Sequence, residues 1–284
     1  RTEMLAVTIA SNMANIPIAH IHGGETTEGA YDEGIRHAIS KMSYWHFTSS
    51  ADYQKRVIQL GESPERVFNV GAIGLDSIKS ITLLSKQDLE EKINFSLGEK
   101  SVIVTYHPVT LENSSSEKQF SAILNALESL PHLKIIFTHA NSDKEGKIIN
   151  SMIKRFSNDN PEISCEFKSL GQLRYLSSLK YVDAVIGNSS SGIIEVPYFK
   201  IPTVNIGDRQ KGRVAPKSVI NCAPNTLEIK KALKKAFSDE FKKEIQSQDQ
   251  LYGSGDTTPK IITELKKEQT VNLKKSFFDI NFTL

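Results

Sequence analysis

Val185-Ile186-Gly187-Asn188-Ser189-Ser190-Ser191-Gly192-Ile193-Ile194-Glu195 reads as strand, small-residue turn and helix. Tyr181 to Ile186 is a short apolar run of strand type, and Ser191 to Phe199 can follow as helix. A turn built from Gly, Asn and three Ser residues lets backbone N–H groups and hydroxyls approach an anion, and the helix N-terminus behind it adds partial positive charge. The turn has the makings of a diphosphate seat, with Glu195 placed to accept the two hydroxyls of a ribose. The plainer alternative is a Ser-capped helix carrying a solvated Glu.

Outward from this turn the chain alternates. Strands expected at 102–106, 134–138, 163–167, 181–186 and 203–206 are separated by helices at 117–130, 144–156, 170–179 and 191–199, with further helices at 226–237 and 259–267. Upstream, helix 3–13, strand 16–21, helix 32–42, strand 44–48, helix 51–60 and strand 67–70 repeat the pattern, and a charged helical stretch at 86–93 leads to Gly98-Glu99-Lys100. The expected fold class is therefore α/β, with parallel, doubly wound sheets. The expected division is 1–97 for a first domain with its linker, 98–267 for a second, and 268–284 for a tail whose apolar end, from Ser276, has no assigned place. In such sheets ligands bind beyond the carboxyl ends of the strands. That rule selects His107-Pro108-Val109-Thr110, His139-Ala140-Asn141-Ser142, Lys168-Ser169, the 187–191 turn and Gly207-Asp208-Arg209-Gln210.

In a chain of 284 residues with net charge +2 and scattered basic residues neither a nucleic-acid surface nor an acidic tail is indicated, and Lys230, Lys231, Lys234 and Lys235 fit the wet face of a helix. No run approaches the roughly twenty apolar residues of a membrane span. Two distant cysteines, Cys165 and Cys222, fit a reducing compartment, hence the cytoplasm, and argue against a disulfide framework or zinc site. Trp45, in a strand, is expected in the core. The first residues already read as helix, without Met and without a strand before them, so the first domain is expected to be incomplete at its N-terminus.

Taken together the loops resemble the UDP-N-acetylglucosamine 2-epimerases, especially their hydrolysing branch. The resemblance rests on Gly23-Gly24-Glu25, Asp32 with Ile35-Arg36-His37-Ala38-Ile39, Val70-Gly71 before Asp76, and His107-Pro108-Val109-Thr110. It continues through Gly187 to Gly192 with Glu195, Asn205-Ile206-Gly207 with Arg209-Gln210 and Gly212-Arg213, and Tyr252-Gly253 with Gly255 and Pro259. It implies two Rossmann-like domains of the glycosyltransferase-B kind, a substrate cleft between them, and a homodimer or homotetramer. It also implies that UDP is eliminated after removal of the C2 proton and that water then adds with inversion at C2, with no metal or redox cofactor. The substrate would be UDP-N-acetylglucosamine or a related UDP-2-acetamido sugar such as UDP-N,N'-diacetylbacillosamine.

Carried over residue by residue, Asp32 matches the family's catalytic aspartate, although the residue alone reads equally as an N-cap. The first loop departs from the pattern: many relatives have Glu two residues after the strand-terminal His, where this chain has His22, with Glu25 shortly beyond. Either His22 is the acid/base group or Glu25 is, with His22 as its hydrogen-bonding neighbour. His107 matches a histidine facing the diphosphate, Ser189 and Ser190 its hydroxyl ligands, and Glu195 the ribose ligand. Arg1 and Arg209 match arginines near the nucleotide, His139 or Asn141 an Asn near it, and Ser169 with Leu170 the backbone groups that read uracil. His20, Arg36 and His37 are candidate supports. A non-hydrolysing epimerase and a glycosyltransferase of the same two-domain frame are the rival readings.

Overall fold

The computed structural model describes residues 2–28, 32–108, 116–141, 144–267 and 271–281. The chain divides into two compact units, and each is described by itself. Unit 1 comprises residues 1–80, 211–214 and 250–284, and unit 2 the rest.

Unit 1 begins with α1 (Thr2–Met13), β1 (Ala19–Ile21), α2 (Glu33–Met42), β2 (Trp45–Thr48), α3 (Ala51–Gln59), β3 (Val67–Asn69) and α4 (Gly74–Ser80). The three strands form a parallel sheet in the order β1-β2-β3. Trp45, Tyr44, Phe47, Val70 and Ile261 make one buried cluster, so Trp45 sits in the core as expected.

Unit 2 contains α5 (Lys86–Ile93), β4 (Lys100–Thr105), α6 (Ser116–Glu128), β5 (Leu133–Thr138), α7 (Lys144–Asp159), β6 (Ser164–Phe167), α8 (Gly171–Leu179), β7 (Ala184–Gly187), α9 (Ser191–Ile194), β8 (Thr203–Ile206), β9 (Val219–Cys222), α10 (Thr226–Ala236) and α11 (Asp239–Gln246). Its sheet runs β6-β5-β4-β7-β8-β9, wholly parallel, so strand order reverses between β4 and β7. That is the dinucleotide-fold order, and it puts the switch point beside the 187–191 turn. Val102, Val104, Ile135, Phe137, Ala184, Ile186 and Val204 are all buried, which is why these strands read as unbroken apolar runs.

Three expectations are corrected. The helix expected over 191–199 stops at Ile194 and becomes a 3₁₀ turn, Val196–Phe199, because Pro197 has no N–H for a continuing ladder. The expected boundary at residue 98 lies instead between Ser80 and Ile81, since α5 packs on α8 in unit 2. The chain also returns to unit 1 in Lys211–Val214 and again from Gln250, so α12 (Thr257–Lys267) belongs to unit 1 rather than to the second domain. Two backbone N–H groups of α12's first turn, on Thr257 and Thr258, donate to the Asp76 carboxylate at 2.9 and 2.6 Å.

The tail has a place. Lys275 Nζ donates to Lys41 O (2.8 Å) and Ser43 O (2.7 Å) at the end of α2, and to Glu62 Oε2 (2.9 Å). Glu62 is 1% exposed and also receives Lys41 Nζ and His46 Nε2. Phe278 N donates to Gly61 O, so residues 271–281, which have no regular structure, are strapped along unit 1. Among the described residues no helix is long and apolar enough to cross a membrane.

Candidate functional site

In unit 1 the loop after β1 packs tightly onto α2 and α3. His22 stands in the left-handed region at φ 65°, its N–H still bonded to Phe47 O in the strand ladder. Gly24, at φ 79°, leaves no room for a side chain: a Cβ there would lie 2.4 Å from Tyr53 O. This turn directs Glu25 inward. Glu25 is 4% exposed; its Oε1 accepts from His22 Nδ1 at 2.6 Å and from Ser49 Oγ at 2.8 Å. Its Oε2 lies 2.8 Å from Arg213 Nη1, an ion pair whose N–H directions are not aligned as a hydrogen bond. Burial alone would raise this carboxyl, but the His22 bond, the Arg213 charge and the Ser49 bond outweigh it and bring it from its usual 4.5 to about 2.

Asp32 is at the N-cap of α2, yet its side chain makes no capping hydrogen bond; one oxygen is 3.7 Å from Arg36 Nη2. The capping alternative is therefore not what the carboxylate does here. Arg36 Nη1 donates to Glu25 O (3.0 Å) and Glu33 Oε2 (2.9 Å), and the same Glu33 oxygen accepts from Thr27 N. Arg36 and Glu33 thus pin residues 25–27 of the loop to the helix. His37 Nε2 is 3.2 Å from Glu33 Oε1, and His20 Nδ1 is 3.1 Å from Ser40 Oγ. Burial, helped by the nearby His46 and Arg36, lowers His20 to about 4.

In unit 2 the switch-point turn is held by its own backbone. Gly187, at φ 132°, would place a Cβ 1.9 Å from Thr105 O, so only glycine fits where β7 leaves the sheet. Asn188 is fully buried and acts as a clamp: Oδ1 accepts from His107 N (2.7 Å) and Nδ2 donates to His107 O (2.8 Å). Its carbonyl accepts from Arg209 Nη1 (2.9 Å) and Gln210 Nε2 (2.8 Å). One buried amide therefore gathers His107, Arg209 and the serine turn. Ser190 occupies the N-cap of α9 without a side-chain cap bond, and Ser191 Oγ pairs with the Tyr175 hydroxyl at 2.6 Å; Ser189 Oγ accepts from Ser191 N at 3.4 Å, so capping accounts for one of the three serines. Burial, and more weakly the Glu195 charge, push the Tyr175 hydroxyl up against the pull of that bond.

A cavity of about 360 Å³ opens here, lined by Thr105, His139, Ser169, Leu170, Tyr175, Ser189 and Ser191 among others. Arg174 binds the carbonyls of Leu170 (2.7 Å) and Ser169 (3.2 Å). His139 Nε2 is 2.6 Å from Glu166 Oε2, whereas Asn141 is exposed and does not line the cavity. Arg1, and the Val109-Thr110 of the His-Pro-Val-Thr stretch, lie outside the described residues. Cys165 and Cys222 are unpaired, and burial raises each thiol to about 12. Among the described residues no group of three His, Cys, Asp or Glu is arranged to hold a metal ion.

Sequence reading missed Ser49, Arg213, Glu33 and Asn188 as members of these clusters. Arg213 and Asn188 lie in motifs that carry the resemblance, but only their contacts distinguish them from neighbouring loop residues.

A parallel α/β unit with a serine turn at its switch point and a second unit rich in paired carboxylates fit a nucleotide-sugar enzyme. A family model described as UDP-N-acetylglucosamine 2-epimerase matches residues 1–266, and the chain belongs to that family. It is 41% identical over 282 residues to the GDP/UDP-N,N'-diacetylbacillosamine 2-epimerase (hydrolyzing) of Campylobacter jejuni, covering 99% of this chain and 73% of that protein. It is 40% identical over 287 residues to polysialic acid biosynthesis protein P7 of Escherichia coli, covering 99% and 72%. The crystal structure of UDP-GlcNAc 2-epimerase from Neisseria meningitidis bound to UDP-GlcNAc matches with a TM-score of 0.79 at 17% identity, over 94% of this chain and 74% of that one, a likeness of fold.

Proposed function

We propose that this chain catalyses hydrolysing 2-epimerisation of a UDP-linked 2-acetamido sugar, giving UDP and the free sugar inverted at C2. The observation that carries the reading is the Asn188 clamp, which sets His107 and Arg209 around the serine turn beside the cavity of unit 2. Two cationic or donor side chains and a row of hydroxyls suit a leaving diphosphate, which gains negative charge as its bond to C1 breaks. Ser189 and Ser190 would hold that diphosphate, Glu195 the ribose, and Ser169, Leu170 and His139 the base end.

A proton beside an acetamide-bearing carbon is weakly acidic, so its removal calls for a positioned base. Asp32 is assigned that task, since its carboxylate is not spent on capping its helix. The C1–O bond breaks, the electron pair leaves with UDP, and a C1=C2 double bond forms. Hydration then puts the hydroxyl of water on C1 and a proton on the opposite face of C2. The named activities of the hydrolysing relative support the same chemistry and make UDP-N,N'-diacetylbacillosamine the first substrate to try, with UDP-N-acetylglucosamine second. Incubating the protein with each sugar in D₂O and reading the product by NMR tests the proposal: free sugar with deuterium at C2 supports it. Intact UDP-sugar, or UDP-linked epimer, refutes it, the latter in favour of the non-hydrolysing reaction.

Two partly buried, unpaired cysteines suit a reducing cytoplasm, and assembly as a homodimer or homotetramer completes the reading. A light-scattering mass equal to one chain would refute the assembly.

A further inference from the structure

Glu25 has both oxygens engaged and almost no contact with solvent. His22 and Ser49 take Oε1 and Arg213 faces Oε2, so a proton arriving at this carboxylate would have to displace one of them. His22 is different. Its side chain is 28% exposed, and the structure uses only one of its two ring nitrogens: Nδ1 faces Glu25, while Nε2 has no partner among the described residues. The backbone beneath it is held at φ 65°, a conformation unfavourable for a non-glycine residue that persists where surrounding structure enforces it. Here the strand ladder on one side and the Gly23-Gly24 turn on the other do so.

We propose that His22, through Nε2, is the catalytic group that delivers the proton to C2 during hydration, and that Glu25 is its positioning residue. This rests on the epimerase reading above. A carboxylate at Nδ1 fixes the ring's orientation and tautomer and supports the charge the ring carries when Nε2 holds a proton. In the hydration step the Nε2–H bond breaks as C2–H forms, water adds its oxygen to C1, and the proton that water loses returns to Nε2. The ring ends as it began, and the proton Asp32 took in the elimination leaves by way of solvent or the departing UDP. The bond from His22 itself, the Arg213 charge and the Ser49 bond together outweigh burial and lower the Glu25 carboxyl to about 2, which keeps it ionised and from competing for that proton.

His22→Asn tests this cleanly, because Asn tolerates left-handed backbone and its amide can still donate to Glu25 from the position of Nδ1, while nothing replaces Nε2. With UDP-N,N'-diacetylbacillosamine and UDP-N-acetylglucosamine as probes, His22→Asn is expected to lose at least about a hundredfold in kcat with KM little changed. Glu25→Gln, which keeps an acceptor facing Nδ1 but removes the charge, is expected to lose at least about tenfold less than that. A proton-detected nitrogen spectrum gives the second readout: a His22 Nδ1–H signal present in the wild type, displaced in Glu25→Gln, and absent in His22→Asn. Thermal melting and UDP affinity confirm that each variant is folded, and His22→Gln, which reaches toward the Nε2 position instead, serves if His22→Asn is not. Near-normal turnover by a folded His22 variant, or a greater loss in Glu25→Gln than in His22→Asn, would overturn the assignment. Wild-type protein that releases no UDP from either sugar would overturn the reaction itself, and the assignment with it.

Discussion

Replacing Lys275 with Met removes one charge from the strap while keeping the length and most of the volume of the side chain. The wild-type ammonium makes three bonds, to the carbonyls of Lys41 and Ser43 and to Glu62 Oε2, and its side chain is 20% exposed. Hydrogen bonds to charged groups contribute about 1.5 to 3 kcal/mol each, but not additively. Removing one partner of a buried ion pair costs about 3 to 5 kcal/mol when it leaves the other uncompensated. Glu62 is not left alone, because Lys41 Nζ at 2.6 Å and His46 Nε2 at 3.0 Å remain, so the cost falls toward and below the bottom of that range. A loss of about 2 to 4 kcal/mol is expected, and at roughly 2 to 4 °C per kcal/mol the melting temperature should fall by roughly 10 °C. Lys275→Arg, which keeps the charge, should recover part of the loss. Differential scanning calorimetry measures the shift, and hydrogen exchange should show α2 amides opening more readily, since two of the lost bonds are at its C-terminal end. A Lys275→Met protein that melts within about 1 °C of wild type would show that the tail merely lies on the surface.

Acidification should destabilise the fold in two stages. His20, lowered to about 4, binds fewer protons folded than unfolded, so its contribution is lost as pH falls from about 6.5; Glu25 and Glu62, both lowered to about 2, hold theirs above 4.5 and lose it below. Urea midpoints between pH 7.5 and pH 4 should therefore decline steadily, and a flat or rising series would contradict these environments. Asp32→Asn should lower kcat at least about a hundredfold, because the amide cannot take a proton. Its UDP affinity by calorimetry should stay within about twofold of wild type, as removal of a single charge-to-neutral contact elsewhere would allow. Near-normal C2 exchange with solvent deuterium in that variant would remove Asp32 from the reaction. Glu195→Gln should weaken UDP by about ten- to a hundredfold, the worth of a charge-assisted hydrogen bond to the ribose, and unchanged affinity would leave Glu195 as a helix-end residue only.

The alternation of strands and helices was legible because unit 2 buries its sheet on both faces. Val102 to Val104 and Ala184 to Ile186 can then be apolar without interruption, and amphipathic helices punctuate them. The elements that escaped notice have weak patterns for physical reasons. α4 has seven residues and buries only Leu75 and Ile78, and α11 buries only Phe241 and Ile245 in an otherwise charged stretch. The misplaced domain boundary has a different origin. Alternation is a local signal, whereas the return of Lys211–Val214 and of residues from Gln250 to unit 1 depends on contacts between distant segments.

The same distinction governs the site. His22, Glu25, Asp32 and His107 could be found because each lies at a strand end or helix start, where polar side chains have no packing duty. What each of them does is decided by partners that carry no local signature. Ser49 is one more serine after a strand, Glu33 looks like a helix surface residue, and Arg213 sits in a basic loop, yet Arg213 and Ser49 add to the His22 bond in holding Glu25 ionised, while Glu33 fixes the arginine that pins its loop. The choice between His22 and Glu25 therefore could not be made from spacing. A carboxylate and an imidazole three residues apart look symmetrical in sequence. They become unequal once one is enclosed by an arginine, a serine and the imidazole itself, and the other is left with a nitrogen that no described residue occupies.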